Sequence, residues 1–203
     1  MRKSKLLLLA LITLNLGLVL LALIVFPGAL GGERTIWIFA DSVLLIGYAA
    51  WVVLASPPSF RTLALGTGAG MAQFLDVARE YLTTWPPALL FFSIVLTIAI
   101  FAIAGIRVHT KGAAVQGAHA AVTAMLLLLV MVWVLNAAVP DRIGAALSSD
   151  PDYLRSGITS MRTYIVWNTL SSAFSHALVL PLFGAAAAAA MGGLTSRLRR
   201  QQI

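Results

Sequence analysis

The chain has no cysteine and few charged residues, and each of these absences excludes classes of protein. Without cysteine there is no disulfide, thiolate metal site, catalytic cysteine or palmitoyl anchor. Only 10% of the 203 residues are charged, and 60% are hydrophobic. A soluble domain carries about 25% charged residues. The long uncharged apolar runs of this chain therefore predict an integral membrane protein.

The basic residues give a formal net charge of +7, but they do not form the surface of a nucleic-acid-binding domain. They lie between apolar runs, where lysine and arginine anchor the cytoplasmic loops of membrane proteins. The sequence therefore predicts contact with a lipid bilayer and no nucleic-acid partner. We expect a multi-pass protein of a cell membrane, specifically the inner membrane of a bacterium.

Catalytic motifs are also missing from the sequence. It contains no HExxH, GxSxG, phosphate-binding loop or metal-spaced cluster of cysteine and histidine. Ser175 and His176 are adjacent, so their side chains diverge by about 100° on a helix and make a poor nucleophile and base. The sequence predicts a protein that is not an enzyme.

Five apolar runs are long, and prolines mark several of their ends because proline lacks the donor that continues a helix. The first run begins at Leu6. It exceeds the roughly 7–15 residues of a signal-peptide core and is long enough to cross a bilayer. We interpret it as an uncleaved span, with a cleaved signal peptide as the alternative.

The segment TLALGTGAGMAQFLDVAREYL, residues 62–82, decides the topology. If it does not cross the membrane, the basic residues after position 196 face outward while the N-terminus faces inward. If it crosses, most lysines and arginines of short loops lie in the cytoplasm, as the orientation rule requires. On a helix its small and polar residues share one face, and Gly66 and Gly70 form a GxxxG pair that allows close packing. We predict a sixth span, with an interfacial or re-entrant helix as the alternative.

The predicted fold class is an all-α integral membrane protein, a single six-helix bundle with both termini cytoplasmic. The predicted spans are residues 6–26, 36–55, 62–82, 87–106, 113–139 and 165–193. Residues 140–163 are predicted to form an outer loop. Asp150-Pro151 predicts the start of a short helix there, because aspartate is a good N-cap and proline suits the first helical position.

In this topology, polar side chains collect in the outer half of the bundle. A carboxylate within a span costs roughly 2.5–3.5 kcal/mol at the helix centre, so it usually faces the protein interior or water. Asp41 and Asp76 are therefore predicted to line an outward-opening pocket with a polar stripe of the last span, spaced i, i+3, i+4, i+7. The predicted polar pocket, or ion or solute site, comprises Asp41, Gln73, Asp76, Glu80, Asn136, Asn168, Ser171, Ser172, Ser175 and His176.

A structural role is the alternative for the same residues. Asp41 and Asp76 lie near enough to the membrane surface to pair with arginines, of which Arg34, Arg79 and Arg162 are the candidates. Serine and asparagine within spans commonly hydrogen-bond neighbouring helices, and we expect Asn15, in the middle of the first span, to do so.

Two histidines lie within predicted spans, and histidine is a common axial ligand of haem iron. His119 and His176 each stand alone, without a partner at helical spacing. We therefore expect no cofactor and no metal, with haem or a pigment at His119 or His176 as the alternative.

Two functions fit these observations. The first is a non-enzymatic accessory or structural subunit of a membrane complex, which binds other membrane subunits or a second copy of itself. Small-residue surfaces such as GAAAAAAMGG, residues 184–193, and the short loops favour it. The second is a small transporter or channel for a cation or polar solute that uses the acidic pocket. The absence of an inverted repeat and of a midplane acid weakens it, so the sequence favours the accessory role.

Overall fold

The chain is almost entirely helical in the computed structural model, which describes residues 2–30, 34–82, 88–106 and 110–200. No strand occurs in these ranges. The elements are α1 (Lys3–Val25), a 3₁₀ turn (Pro27–Ala29), α2 (Arg34–Leu54), α3 (Phe60–Leu82), α4 (Ala88–Gly105), α5 (Thr110–Ala138), α6 (Pro140–Leu147), α7 (Pro151–Ser156) and α8 (Met161–Arg200). The predicted all-α class is confirmed.

Four of the described helices are long and apolar enough to cross a bilayer. The qualifying stretches are Lys3–Val25, Thr35–Leu54, Gly112–Ala138 and Met161–Leu198. α4 adds a shorter apolar stretch, Phe92–Gly105, and residue 87, where the predicted fourth span begins, lies outside the described residues. α3 does not qualify, because its glycines and charged residues dilute its apolar ones. The structure thus has several helices that could cross a membrane, and the count of six spans stays a prediction.

The helices of the pairs α1/α2 and α5/α8 run in opposite directions. Lys5 Nζ, at the start of α1, donates to the carbonyl oxygen of Val53, at the end of α2, over 2.7 Å. Asn136 Nδ2, near the end of α5, donates to Thr169 Oγ1, near the start of α8, over 2.7 Å. The bundle therefore has an N-terminal end, where α1 begins, and a loop end, where α6 and α7 lie.

Glycines bring α3, α4, α5 and α8 into backbone contact with one another. A Cβ atom at any of these glycines would lie too close to backbone or side-chain atoms of the facing helix. The facing pairs are Gly66 with Ala120, Gly70 with Ala124, Gly105 with Ala188, and Gly117 with Gly184. The predicted GxxxG pair is thus used inside the chain, where it holds α3 parallel to α5.

α5 is the central helix of the bundle. In its apolar stretch, 61% of the residues are buried, against 28% in α1, 22% in α2 and 28% in α8. Two of the apolar clusters of the bundle join α1, α2 and α8, and α5 packs against both. The N-end cluster is formed by Leu8, Ile12, Leu45, Val52, Val122, Met125, Leu126, Leu129, Ala173 and Ala177. The loop-end cluster is formed by Val19, Ala22, Ala29, Ile38, Val166 and Leu170.

A hydrogen bond from α2 supports α8 where proline interrupts it. Pro181 lies inside α8 and has no N–H, so it cannot donate to the carbonyl four residues earlier, that of Ala177. The Tyr48 hydroxyl of α2 donates to this carbonyl oxygen. A side chain of one helix thus replaces the backbone donor missing from another.

The Tyr48 hydroxyl is expected to stabilise the bundle only while Pro181 is present. Tyr48→Phe removes the donor and leaves a carbonyl unpaired, so we expect a loss of about 1 kcal/mol. For a chain of this size, that loss lowers the melting temperature by about 2–4 °C. In a Pro181→Ala background the backbone N–H returns, and the same Tyr48→Phe change is expected to cost nothing. Thermal unfolding in detergent of the four proteins of this double-mutant cycle measures the coupling, and equal losses in both backgrounds would contradict it.

The predicted outer loop contains two short helices rather than one. α7 begins at Pro151 as predicted, and the Asp150 side chain caps it by accepting a hydrogen bond from the Asp152 N–H over 2.8 Å. The prediction missed α6, which begins at Pro140 and buries Ile143 and Leu147. Its signal was proline at the first helical position followed by an apolar pair four residues apart.

Candidate polar cavity at the loop end of the bundle

A cavity of about 200 Å³ lies among α3, α5, α6 and α8, and we call it the loop-end cavity. Its polar lining residues are Glu80, Tyr81, Asn136, Asn168, Thr169, Ser172 and His176. Its apolar lining residues are Val77, Leu128, Leu129, Val132, Ile143, Leu147, Ile165 and Ala173. Five of the ten residues predicted for the polar site therefore lie in one cavity: Glu80, Asn136, Asn168, Ser172 and His176.

The face of α8 that lines the cavity differs in phase from the predicted stripe. Residues 165, 168, 169, 172, 173 and 176 line it, which continues the pattern by steps of three and four along one helical face. Ser171 and Ser175 do not line it. Their hydroxyls donate within α8, to the carbonyls of Asn168 over 3.1 Å and of Ser172 over 2.8 Å. Thr169, which the prediction missed, takes the place expected of Ser171.

Hydrogen bonds fix some lining groups and leave others for a ligand. Asn136 Nδ2 donates to Thr169 Oγ1, which itself donates to the carbonyl of Ile165 over 2.9 Å. His176 Nδ1 donates to the carbonyl of Ser172 over 2.9 Å, so in the neutral ring Nε2 is an acceptor. The side chains of Glu80 and Asn168 have no hydrogen-bond partner among the described residues.

The lining chemistry suits a small cationic or polar ligand. Glu80 supplies a carboxylate, and no lysine or arginine is among the lining residues of this cavity. Asn136 and Asn168 supply amide groups, and His176 supplies an imidazole. Pockets for drug-sized ligands measure about 300–1,000 Å³. The smaller volume of this cavity fits an ion or a solute of a few heavy atoms.

Gln73 and Asp76 lie away from the cavity, on the side of α3 that faces α4. Gln73 Nε2 donates to Thr97 Oγ1 of α4 over 3.2 Å. Asp76 accepts from Arg79 Nε over 3.1 Å, in an ion pair one turn apart. The structural alternative therefore describes Asp76 better than the site prediction does. The polar face of α3 is shared between α4 and the cavity, and Glu80 is its acid at the cavity.

Asp41 also lies outside the cavity, in the interior of the bundle. Its side chain is 1% exposed, and neither carboxylate oxygen has a hydrogen-bond partner among the described residues. Asp41 is therefore buried between helices and does not line the loop-end cavity, and its depth relative to the membrane surface stays a prediction. The side chain of Arg34, one of its expected partners, lies outside what the structure describes, and Arg162 is exposed beside a neighbouring cavity of about 210 Å³.

Asn15 hydrogen-bonds α1 to α5, and His119 and His176 lie in different parts of the bundle. Asn15 Nδ2 donates to the Leu126 carbonyl of α5 over 3.1 Å, as expected of a polar residue in mid-span. His119 is fully buried, donates from Nδ1 to the Val115 carbonyl over 2.8 Å, and stacks on Trp51 with ring centroids 4.3 Å apart. Within the described ranges, no group of three or more His, Cys, Asp or Glu side chains is placed to hold a metal ion.

Comparison with protein-family models, with curated proteins and with solved structures finds no match. The function is therefore argued from the chemistry of the chain itself.

Proposed function

We propose that the protein is a six-span transporter of a bacterial inner membrane, with both termini in the cytoplasm. In this proposal it binds a small cationic or polar solute from the outer side, in the loop-end cavity. The observation that carries the proposal is the convergence of Glu80, Asn136, Asn168 and His176 on one cavity from three helices. Packing between α5 and α8 explains Asn136, which is bonded to Thr169. The side chains of Glu80 and Asn168 have no partner among the described residues and are therefore available to a solute.

The sign of the charge favours a cation or a neutral polar solute over an anion. Glu80 is the acid of the cavity, and no described lysine or arginine lines it. Arg79 pairs with Asp76, Arg155 pairs with Asp152 over 2.7 Å, and Arg162 lines the neighbouring cavity. A carboxylate at the mouth of an apolar-walled cavity attracts cations, because the low-dielectric walls focus its field.

Close helix packing favours a carrier over an open channel. Below the cavity, α3 and α5 touch at Gly70 and Ala124, and α5 and α8 touch at Gly117 and Gly184. At these two contacts the helices are too close for water to pass between them. A solute that enters the cavity would cross only when the helices rearrange, and Pro181 gives α8 a place at which to bend.

The accessory role that the sequence favoured stays a prediction. It rested partly on small-residue surfaces, and Gly66, Gly70, Gly117, Gly184 and Ala188 now have partners within the chain. Helix association with another protein therefore loses part of its argument. A partner protein that co-purifies in stoichiometric amount from the native membrane would restore it.

Binding of solutes to the purified protein tests the proposal. Thermal unfolding in detergent is followed against a panel of monovalent and divalent cations, small amines and neutral polar solutes, since a ligand of the folded state raises the melting temperature. For a ligand that is a cation, Glu80→Gln is expected to weaken binding at least about tenfold, or ~1.4 kcal/mol, because it removes the charge of the cavity. Calorimetric titration of both proteins measures the change.

Asp141→Asn is the matched control for Glu80→Gln. Asp141 is an exposed acid of the same end of the bundle and does not line the cavity, so its neutralisation is expected to leave affinity unchanged. A panel in which no solute stabilises the protein, or equal effects of the two substitutions, would contradict the proposed site.

A further inference from the structure

A buried polar level separates the N-end cluster from the loop-end cluster. Asp41 of α2 and Asn15 of α1 are each 1% exposed. On α1, Asn15 lies between Ile12 of the N-end cluster and Val19 of the loop-end cluster. On α2, Asp41 lies between Leu45 of the N-end cluster and Ile38 of the loop-end cluster. Since each cluster contains residues of both helices, Asp41 and Asn15 lie at the same depth between them.

The buried side-chain oxygens at this level are hydrogen-bond acceptors that have no donor. Both carboxylate oxygens of Asp41 and the Oδ1 of Asn15 are buried and have no hydrogen-bond partner among the described residues. The donor of Asn15 is already used, because Nδ2 is bonded to the carbonyls of Leu11 and Leu126. Three acceptor oxygens therefore lie in an apolar interior, where unpaired polar groups are costly.

Among the described side chains, the ionisable groups of the surrounding helices do not pair with Asp41. Tyr48 of α2 is within electrostatic reach, but its hydroxyl donates to Ala177. Lys5 of α1 donates to Val53 at the N-terminal end. His119 of α5 stacks on Trp51, and His176 of α8 lines the loop-end cavity. None of these four side chains makes a hydrogen bond or ion pair with Asp41.

We infer that Asp41 and Asn15 form a buried proton-binding site. When water reaches Asp41, its carboxylate takes one H⁺ from the solvent and becomes a neutral carboxylic acid. That acid has the one O–H donor that the level lacks, and Asn15 Oδ1 is the acceptor at the same depth. A single proton thus removes the buried charge and pairs two of the three oxygens.

A proton fits this level better than a metal cation does. Hard cations take about six or more oxygen ligands, whereas the level offers three side-chain oxygens. The backbone carbonyls of α1 and α2 are committed to their own helices. Uptake and release of this proton would couple solute movement to the proton gradient; that role rests on the proposed function, whereas the proton site itself does not.

Infrared spectroscopy of the protein in lipid nanodiscs at neutral pH tests the site. A protonated carboxyl group has a C=O stretch distinct from that of a carboxylate, and the band shifts when H₂O is replaced by D₂O. We expect the wild type to show this band and Asp41→Asn to lose it completely. Asp76→Asn is the matched control and is expected to keep it, because Asp76 is ion-paired with Arg79. Asn15→Leu is expected to keep the band at a shifted frequency, because the acceptor is gone.

Several outcomes would overturn the inference. One is a wild-type spectrum identical to that of Asp41→Asn. Another is a band that appears only when Na⁺ is replaced by choline, because the site would then bind Na⁺. If Asp41→Asn does not fold, ¹³C labelling of aspartate carboxyl groups in the wild type must still shift the band, and an unshifted band contradicts a protonated aspartate. None of these readouts involves a solute, so a failure of the proposed transport function would leave them unaffected.

Discussion

Replacing Gly117 with leucine is expected to prevent the bundle from folding, whereas the same replacement at Gly17 leaves the fold intact. A Cβ atom on Gly117 would overlap the carbonyl oxygen of Gly184 and the side chain of Ala188. At Gly17 of α1 an added Cβ meets no atom within 4 Å. The two glycines therefore differ in what faces them and not in their helical conformation.

Two opposing free-energy contributions decide whether replacing Gly117 destabilises the protein. Removing a glycine from a helix interior gains about 1 kcal/mol of helix propensity. Overpacking costs about 3 kcal/mol or more when the neighbour cannot move away, and the neighbour of Gly117 is backbone. The steric loss therefore exceeds the propensity gain at Gly117, whereas the gain alone remains at Gly17.

Size-exclusion chromatography and thermal unfolding of detergent-extracted protein measure the difference. We expect Gly117→Leu to be degraded or aggregated and Gly17→Leu to elute as the wild type does. A Gly117→Leu protein with a wild-type elution volume and melting temperature would show that α5 and α8 do not meet at these glycines.

Single cysteines are expected to label from opposite sides of the membrane in an all-or-none pattern. Because the chain has no cysteine, each introduced thiol is the one reactive site. The positions are Ser56, between α2 and α3; Ser149, between α6 and α7; and Ser196, near the end of α8. Six spans place Ser149→Cys outside and the other two inside. A maleimide that cannot cross the membrane should then label only Ser149→Cys in intact cells.

The alternative topology gives the opposite result for two of the three positions. If α3 lies in the interface and does not cross, Ser149→Cys faces the cytoplasm and Ser196→Cys faces outward, while Ser56→Cys stays inside. Labelling after permeabilisation shows that each thiol is accessible and serves as the control. Reaction of Ser196→Cys in intact cells would disprove six spans.

The positions of the long helices could be predicted from the sequence because apolar runs and prolines are local signals. Predicted span 36–55 corresponds to α2, Arg34–Leu54, and predicted span 113–139 corresponds to α5, Thr110–Ala138. The short α6 was missed because its signal, a proline followed by one apolar pair, is much weaker than the long apolar runs that mark the spans.

Half of the candidate site could be predicted, and the other half depended on packing. The stripe on α8 was placed correctly along the helix, but a periodicity near 3.6 leaves its phase uncertain by one position, which exchanged Ser171 for Thr169. On α3, Glu80 lines the cavity while Asp76, one turn earlier, lies on the side of α4. Which neighbour each side of α3 meets is decided by the glycine contacts with α5, and those involve residues about 54 positions apart.

The pairing of the central helix has a consequence for how the protein is made. α5 packs most extensively against α8, and α8 leaves the ribosome after α5. Until α8 arrives, Gly117 and the polar residues Asn136 and His119 lie on a helix whose largest interface is missing. A nascent chain that stalls before residue 161 therefore presents an incomplete bundle to membrane chaperones and proteases. In this order of synthesis, α5 is made before the helix that covers its largest interface.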